Sequence, residues 1–208
     1  MCPNFYMLYY IENTNLTECR TYGHARYKSS TGKERTLVRY RKLRYFSITL
    51  RLQRLFKSPN IIEHMIWHHS HNAVDEVMMH LFNGEAWNQF SMVHLQFLME
   101  RHNICVRLCI GRFNTFGSFV TPYSCWLVIL KVYNLLSEMC MRPTSCSYLW
   151  SYLMLIVYVE LRPLIDEMNQ LWLFRTLIYD ISSKLNFQKK VALMWTINDF
   201  HAYEIVFG

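Results

Sequence analysis

Continuous apolar runs, separated by polar stretches, dominate the second half of the chain. They predict buried strands at residues 104–110, 126–132, 149–159 and 191–197. Between the third run and the fourth, residues 163–174 repeat apolar side chains at helical spacing, which predicts an amphipathic helix. Its Leu164 and Leu171 would face the core, and its Glu167 would face solvent. Three strands, a helix and a further strand indicate an α/β fold.

Helical spacing of apolar residues also marks two segments in the first half. Ser58 and Pro59 suit the N-cap and the first turn of one helix. A second helix is predicted from Gly84 to Met99, and its apolar face would carry Ala86, Phe90, Val93 and Phe97. His64 and His68 have a spacing that zinc accepts on a helix, but the glutamate of an HExxH protease does not follow His64. No functional metal site is therefore expected there.

Residues 33–57 form a strongly basic stretch, with nine Lys and Arg side chains against the single acid Glu34. Tyr40, Tyr45 and Phe46 are interleaved with these cations. Cations neutralise phosphates and aromatic rings stack on bases, so the stretch is a candidate DNA-binding surface. Its candidate contacts are Arg35, Arg39, Arg41, Lys42, Arg44, Arg51 and Arg54. The pattern is equally compatible with a solvated basic face over an apolar core, formed by Leu37, Leu43, Phe46 and Leu52.

The composition fits one ordinary domain with a small appendage, because the chain has 208 residues of which 52% are hydrophobic. A formal net charge of +7 favours a polyanionic partner, with nucleic acid as the first candidate. No signal peptide is expected, so the seven cysteines predict free thiols rather than a disulfide framework. The apolar run at residues 148–159 is shorter than the roughly 20 residues of a membrane helix. Neither a membrane partner nor a small-molecule substrate is therefore expected.

Several short motifs resemble, in the same order, those of plant CACTA (En/Spm-type) DNA transposases. They include Cys2-Pro3-Asn4, Leu43-Arg44-Tyr45-Phe46, Gly84-Glu85-Ala86-Trp87, Pro163-Leu164-Ile165-Asp166-Glu167 and Ala192-Leu193-Met194-Trp195. The resemblance implies a degenerate, zinc-knuckle-like segment at residues 1–32 and a basic, helical region at residues 33–100. For residues 101–208 it implies an incomplete RNase H-like catalytic domain, so that the fold class would be α/β.

The transposases of this family cut and join DNA with three carboxylates that hold two divalent ions, usually Mg²⁺. In the stretch that matches their first acid, this chain has Gly111 followed by Arg112. The second acid matches Asp199, and the third would lie downstream of Gly208. The resemblance therefore implies that at most one catalytic ligand, Asp199, remains. A rebuilt metal site that used Asp166, Glu167 and Asp180 is the less favoured alternative.

The zinc-knuckle-like segment departs from the family in a similar way. Each motif of the family has two cysteines. In this chain Tyr6 stands in the place of the second cysteine after Cys2, and Tyr22 in the place of the second cysteine after Cys19. Structural zinc needs four ligands, so Cys2 and Cys19 would be the remains of a lost site. No cofactor is expected, although Mg²⁺ and Zn²⁺ belong to the intact family.

The function that the resemblance implies is that of a transposase fragment, a catalytically inactive relic of a transposable element. The alternative is a remnant that binds DNA or an intact transposase through residues 33–57. The resemblance implies a nuclear location in either case.

Overall fold

The computed structural model describes residues 1–29, 37–43, 45–69, 83–114, 124–135, 139, 150–153 and 158–198. The helices are α1 (Ile48–Leu55), α2 (Pro59–Ile66), α3 (Glu85–Val93), α4 (Leu95–Met99) and α5 (Tyr158–Leu173), with 3₁₀ turns at Ile11–Asn13 and Trp67–His69. The strands are β1 (Ile104–Asn114), β2 (Ser124–Val132), β3 (Trp150–Leu153), β4 (Thr176–Asp180), β5 (Leu185–Lys189) and β6 (Val191–Asn198). Within these ranges no helix is long and apolar enough to cross a membrane.

Four of the strands form one mixed sheet in the order β3–β2–β1–β6. β2 is antiparallel to both β1 and β3, whereas β6 is parallel to β1. The parallel pair begins at Ile104 opposite Val191 and ends at Ile110 opposite Asn198. The α/β class expected from the sequence is therefore confirmed. β4 and β5 form a separate antiparallel hairpin.

β1 is buried on both faces, which explains its continuous apolar sequence. Ile104 and Val106 belong to the main core, which includes apolar side chains of α1, α2 and α5. Cys105, between them, points to the other face and packs with Trp87 and Tyr133. The predicted strands agree in position with β1, β2 and β6. The strand predicted at residues 149–159 is correct only for β3, Trp150–Leu153.

Three features of the fold differ from the sequence expectations. Tyr158, expected in a strand, begins α5, which contains Pro163 in its first turns. The helix expected from Gly84 to Met99 is interrupted at His94, whose backbone leaves the helical region. The expected apolar face is wrong for Ala86 and for Val93, which are both exposed, because α3 buries Trp87 instead. The hairpin β4–β5 was not expected at all.

The N-terminus of α1 is bound by the side chain of Glu167 in α5. Its carboxylate accepts hydrogen bonds from the backbone N–H groups of Ile48 (3.0 Å) and Thr49 (2.9 Å) and from Ser47 Oγ (2.6 Å). The Tyr45 hydroxyl donates a further hydrogen bond to it. These N–H groups have no partner within the helix, and the helix dipole favours a negative charge there. The expectation that Glu167 faces solvent is therefore wrong, because α1 covers it.

The pKa values of this cluster follow from its geometry. Burial alone would raise the pKa of Glu167, but the hydrogen bonds from Ser47, Tyr45 and the two backbone N–H groups outweigh it and lower the pKa. Burial and the bond to the Glu167 carboxylate together raise the pKa of Tyr45. The carboxylate is therefore ionised and the phenol is protonated at neutral pH.

Lys189 in β5 is fully buried, at 0% exposure, and its Nζ has no hydrogen-bond partner. The Nζ atom lies 4.7 Å from the centroid of the Phe56 ring. Burial lowers the pKa of Lys189 well below its ordinary value of 10.5. An ammonium group in this place would lose its hydration without a replacement, so the neutral amine is favoured and its contact with Phe56 is apolar packing.

We expect Glu167→Gln to lower the free energy of unfolding by about 2 kcal/mol, because it removes a charged acceptor of several hydrogen bonds. Urea denaturation followed by circular dichroism measures this change. The matched control is Asp166→Asn, which breaks only the exposed pair with Arg162 and should cost at most about 0.5 kcal/mol. Equal losses in the two variants would contradict the role of Glu167.

We expect Lys189→Met to raise the free energy of unfolding at pH 7 by about 1–3 kcal/mol, because it removes a buried, unpaired amine and keeps the packing on Phe56. In the native chain the unfolded state binds the extra proton below pH 10.5, so stability rises as the pH approaches that value. The variant should lack this rise in urea denaturation between pH 7 and 10.5. The control is Lys190→Met, at the half-exposed neighbour, which should change neither the free energy of unfolding at pH 7 nor its rise with pH. If Lys189→Met lowered the free energy of unfolding, the amine would be stabilising and the expectation would be wrong.

Candidate functional site

The end of the sheet at which β1 and β6 run in parallel is the first candidate site. Ile110 in β1 lies opposite Asn198, the last residue of β6, and this is the last pair that the two strands form. Gly111 is the residue after Ile110, and in the neighbouring strand it lies opposite Leu127. Asp199, the predicted second acid, lies outside the described residues. Gly111 brings no ligand atom to the position that the resemblance assigns to the first acid.

The other candidate carboxylates have structural partners. Asp166 accepts two hydrogen bonds from Nε of Arg162, at 2.9 and 3.1 Å. Glu167 binds the N-terminus of α1, as described above. Asp180 shapes the turn of the β4–β5 hairpin by accepting hydrogen bonds from the Ser182 N–H (2.7 Å) and from Ser183 Oγ (2.8 Å). The three acids are therefore not gathered into a rebuilt metal site.

A histidine that sequence reasoning missed ties the hairpin to the start of β1. His102 lies between two carboxylates, with Nδ1 2.8 Å from Glu100 and Nε2 3.5 Å from Asp180. Its ring stacks on Phe187 at 3.8 Å between centroids. Burial would raise the pKa of Asp180, but hydrogen bonds from Ser183 and Ser182 outweigh it and lower the pKa. No local pattern in the sequence marks this contact, because its members come from three different elements.

No group of three or more His, Cys, Asp or Glu side chains is arranged to hold a metal ion anywhere in the described part of the chain. His64 and His68 conform to this, since His68 is buried in the 3₁₀ turn while His64 is half-buried in α2. The described residues at the end of the sheet therefore do not fit a pair of Mg²⁺ ions.

The N-terminal segment brings the two predicted metal ligands together. Cys2 and Cys19 are 0% and 2% exposed and pack in one small apolar cluster. Each cysteine begins a tight turn, in which the Phe5 N–H donates to the Cys2 carbonyl (3.1 Å) and the Gly23 N–H to the Cys19 carbonyl (2.7 Å). Phe5 and Gly23 both have left-handed backbones, with φ of 63° and 64°. The first turn closes over three residues and the second over four, and each ends at a left-handed residue.

Backbone N–H groups are also directed at the two sulfurs. Those of Asn4 and Tyr6 bond to Cys2, and those of Thr21 and Tyr22 bond to Cys19. Burial raises the pKa of the Cys2 thiol. Burial acts in the same direction on Cys19, but the bonds from Cys2, Tyr22 and Thr21 outweigh it and lower the pKa. Cys19 is therefore the more acidic thiol of the pair.

Tyr6 and Tyr22, at the positions where the resemblance places the second cysteines of the family, lie on the surface. The rings of Tyr6 and Tyr22 contact each other, with 4.6 Å between centroids. His24, a possible third ligand, has an exposed side chain, and its carbonyl accepts the Cys19 N–H. Tetrahedral zinc needs four ligands, and the described residues of this site supply two sulfurs. Structural zinc therefore does not fit here.

The basic stretch is divided between two parts of the structure. Arg39 and Arg41 lie beside the N-terminal segment. The backbone of Arg39 forms an isolated antiparallel β-bridge with that of Tyr27. The Arg41 guanidinium lies 3.9 Å from the centroid of the Phe5 ring. Arg51 and Arg54 belong to α1, and the Arg51 guanidinium lies 4.9 Å from the ring of Phe46. The exposed members are Arg39, Lys42 and Arg54. Two further candidates, Arg35 and Arg44, lie outside the described residues.

The alternative interpretation of this stretch, a basic face over a four-residue core, is wrong for two of its members. Leu52 is buried and Leu43 packs against the core, as expected. Leu37 and Phe46 are instead 73% and 42% exposed. Phe46 lies under Arg51 at the surface, because Tyr45 and not Phe46 turns toward α5. At α1, a cation and an exposed aromatic side chain are therefore in contact at the surface.

The model of the transposase family tnp2 matches residues 75–208, a range that contains all the described strands. No curated protein matches the chain. No solved structure matches it either.

Proposed function

Because this chain belongs to the transposase family tnp2, by the match of residues 75–208, we propose that it is a transposase-derived protein that no longer cuts DNA. The observation that carries the proposal is Gly111 in the central strand β1, one residue after the last pair that β1 forms with β6. The chain would be a relic of a transposable element of the plant CACTA (En/Spm) type, the group that its motifs resemble.

The chemistry of DNA strand transfer explains why one residue decides activity. Two divalent ions stabilise the attacking and the leaving oxygen, and carboxylates must hold both ions in place. Glycine offers no oxygen from its side chain, and the following residue, Arg112, adds a positive charge to the same stretch. With Gly111 in place of the first acid, the site would lack one of the carboxylates that hold the two ions.

The order of the strands supports an RNase H-like origin for this domain. β1, β2 and β3 are consecutive and antiparallel, and β6 returns parallel to β1 after α5 and the hairpin. This arrangement continues the ends of β1 and β6 into the same region, as a site with one acid after each strand requires. We infer that the scaffold of the catalytic site was kept while its first ligand was lost.

A second candidate function is DNA binding without cleavage, possible in the nucleus alongside an intact transposase. It is favoured by the exposed cations Arg39, Lys42 and Arg54 and by the exposed rings of Tyr40 and Phe46 among them. Phosphate contacts by the cations would supply affinity, and the rings could stack on unpaired bases. Such a protein would compete with an intact transposase for its DNA ends or join its oligomers.

We expect the purified chain to show no nicking of a supercoiled plasmid above background with Mg²⁺ or Mn²⁺, because the first metal ligand is absent. The native chain is compared with the double variant Gly111→Asp, Arg112→Gly, and agarose gels measure the relaxed product. Nicking by the native chain that disappears in Asp199→Ala would overturn the proposal, since it would show a working metal site around Asp199.

We expect Lys42→Ala, Arg54→Ala to weaken DNA binding and to reduce its salt dependence, by about 0.9 in the slope of log affinity against log salt for each lost phosphate contact. Fluorescence anisotropy with a labelled duplex at several salt concentrations measures both effects. Arg101→Ala, Lys184→Ala is the matched control, because it removes two exposed cations elsewhere and gives the same net charge. Equal slopes for the two double variants would exclude the basic stretch as the binding surface.

A further inference from the structure

Strand β6 lies at one edge of the four-stranded sheet. Among the described strands it pairs with β1 alone, so its second edge turns away from the sheet. Successive residues of a strand turn their backbone N–H and C=O groups to opposite edges, and those on the outer edge of β6 meet no other described strand. An open edge of this kind is a template for a further strand.

The edge of β6 has little of the protection that natural proteins give to open edges, which is charged side chains, proline, bulges or a very short strand. The eight residues Val191–Asn198 include no charged residue and no proline. One bulge is present, because the register with β1 shifts between Val106 and Arg107 and leaves Met194 as an extra residue. Beyond this bulge, Trp195–Asn198 is a regular stretch without protection.

Apolar side chains at this edge are only half covered. Ile197 is 50% exposed, and Leu193, before the bulge, is 43% exposed. Leu193 also lines a cavity of about 520 Å³ between α5 and the sheet, whose walls include Leu108, Leu164 and Met168. Removal of such surface from water is favourable. The edge therefore combines open backbone groups with apolar surface that a neighbouring strand would cover.

Charge selects the kind of partner. The chain has a formal net charge of +7, so two copies repel each other over most of their surface, but β6 itself is uncharged. The strands of the β4–β5 hairpin, by contrast, are flanked by Arg175, Lys184 and Lys190. A strand is complementary to its own copy in the antiparallel direction, because a two-fold axis brings each donor opposite an acceptor. A second copy of this chain therefore supplies an edge that fits.

We propose that two copies of this chain pair through Trp195–Asn198, in antiparallel direction about a two-fold axis, so that their sheets become continuous. Thr196 of each copy then lies opposite Ile197 of the other, and β-branched side chains suit such a cross-strand pair. Each copy offers one stretch of this kind, so assembly stops at the dimer. So short a pairing buries less than the roughly 1,200 Å² of a stable interface, and the dimer is therefore weak and reversible.

Sedimentation velocity over a range of concentrations tests the proposal on the full chain, in salt that screens the net charge. The native chain should show a reversible equilibrium between monomer and dimer. Thr196→Lys, Ile197→Lys should raise the dissociation constant of the dimer by about a hundredfold, because like charges then face one another across the edge.

The matched control is Leu177→Lys, Tyr179→Lys, which replaces two exposed side chains of β4 with the same change of net charge. It should leave the dissociation constant as it is in the native chain. A native chain that stays monomeric at its highest soluble concentration would overturn the proposal. A series of larger oligomers, or equal dissociation constants for the two double variants, would overturn it as well.

Hydrogen exchange on the native chain keeps the test valid if a lysine variant does not fold. Dilute and concentrated samples are compared at equal salt, and backbone amides of Trp195–Asn198 should exchange more slowly at the concentration where the dimer forms. A dimer that leaves the exchange of these amides unchanged would place the interface elsewhere and show that the proposal is wrong. Neither measurement uses DNA, so both are independent of whether the protein cuts or binds it.

Discussion

The position of α1 depends on one carboxylate, that of Glu167. It lies 118 to 122 residues along the chain from the groups that it accepts, and it joins the basic N-terminal region to the α/β sheet. Four donors converge on it, and two of them are backbone N–H groups that have no partner within α1. Through this contact Leu52 and Leu55 enter the core, while Arg51 and Arg54 are held on the outside. The outward position of the cations in α1 is therefore a consequence of how α5 binds α1.

The sheet and the catalytic chemistry depend on different residues. β1 is held by its apolar side chains on both faces and by hydrogen bonds to β2 and β6, and none of these contacts uses an acid at position 111. The side chain at position 111 therefore has no part in holding the core together. A fold and the chemistry placed on it can change separately, because they depend on different residues.

The N-terminal segment shows the same independence on a smaller scale. Its two turns are fixed by backbone hydrogen bonds and by the left-handed conformation of Phe5 and Gly23, not by a metal. The rings of Tyr6 and Tyr22 pack against each other at its surface. Inside, the buried Cys2 and Cys19 pack with Met7, Tyr9 and Leu16 in a small apolar cluster.

The sequence by itself determined those features that depend on neighbours along the chain. Continuous apolar runs identified β1, β2 and β6 because both faces of these strands are buried, and Ser58 with Pro59 marked the start of α2. Cys2 and Cys19 were singled out only by the resemblance of their segment to that of CACTA transposases. The tertiary structure alone decided the direction of Glu167, the burial of Lys189 and the contacts of His102, since their partners are distant in sequence. It also decided the hairpin β4–β5, whose outward Leu177 and Tyr179 conceal the alternation of buried and exposed positions. Local patterns record which side chains avoid water, whereas the partner that each buried polar group finds is set only when distant segments pack together.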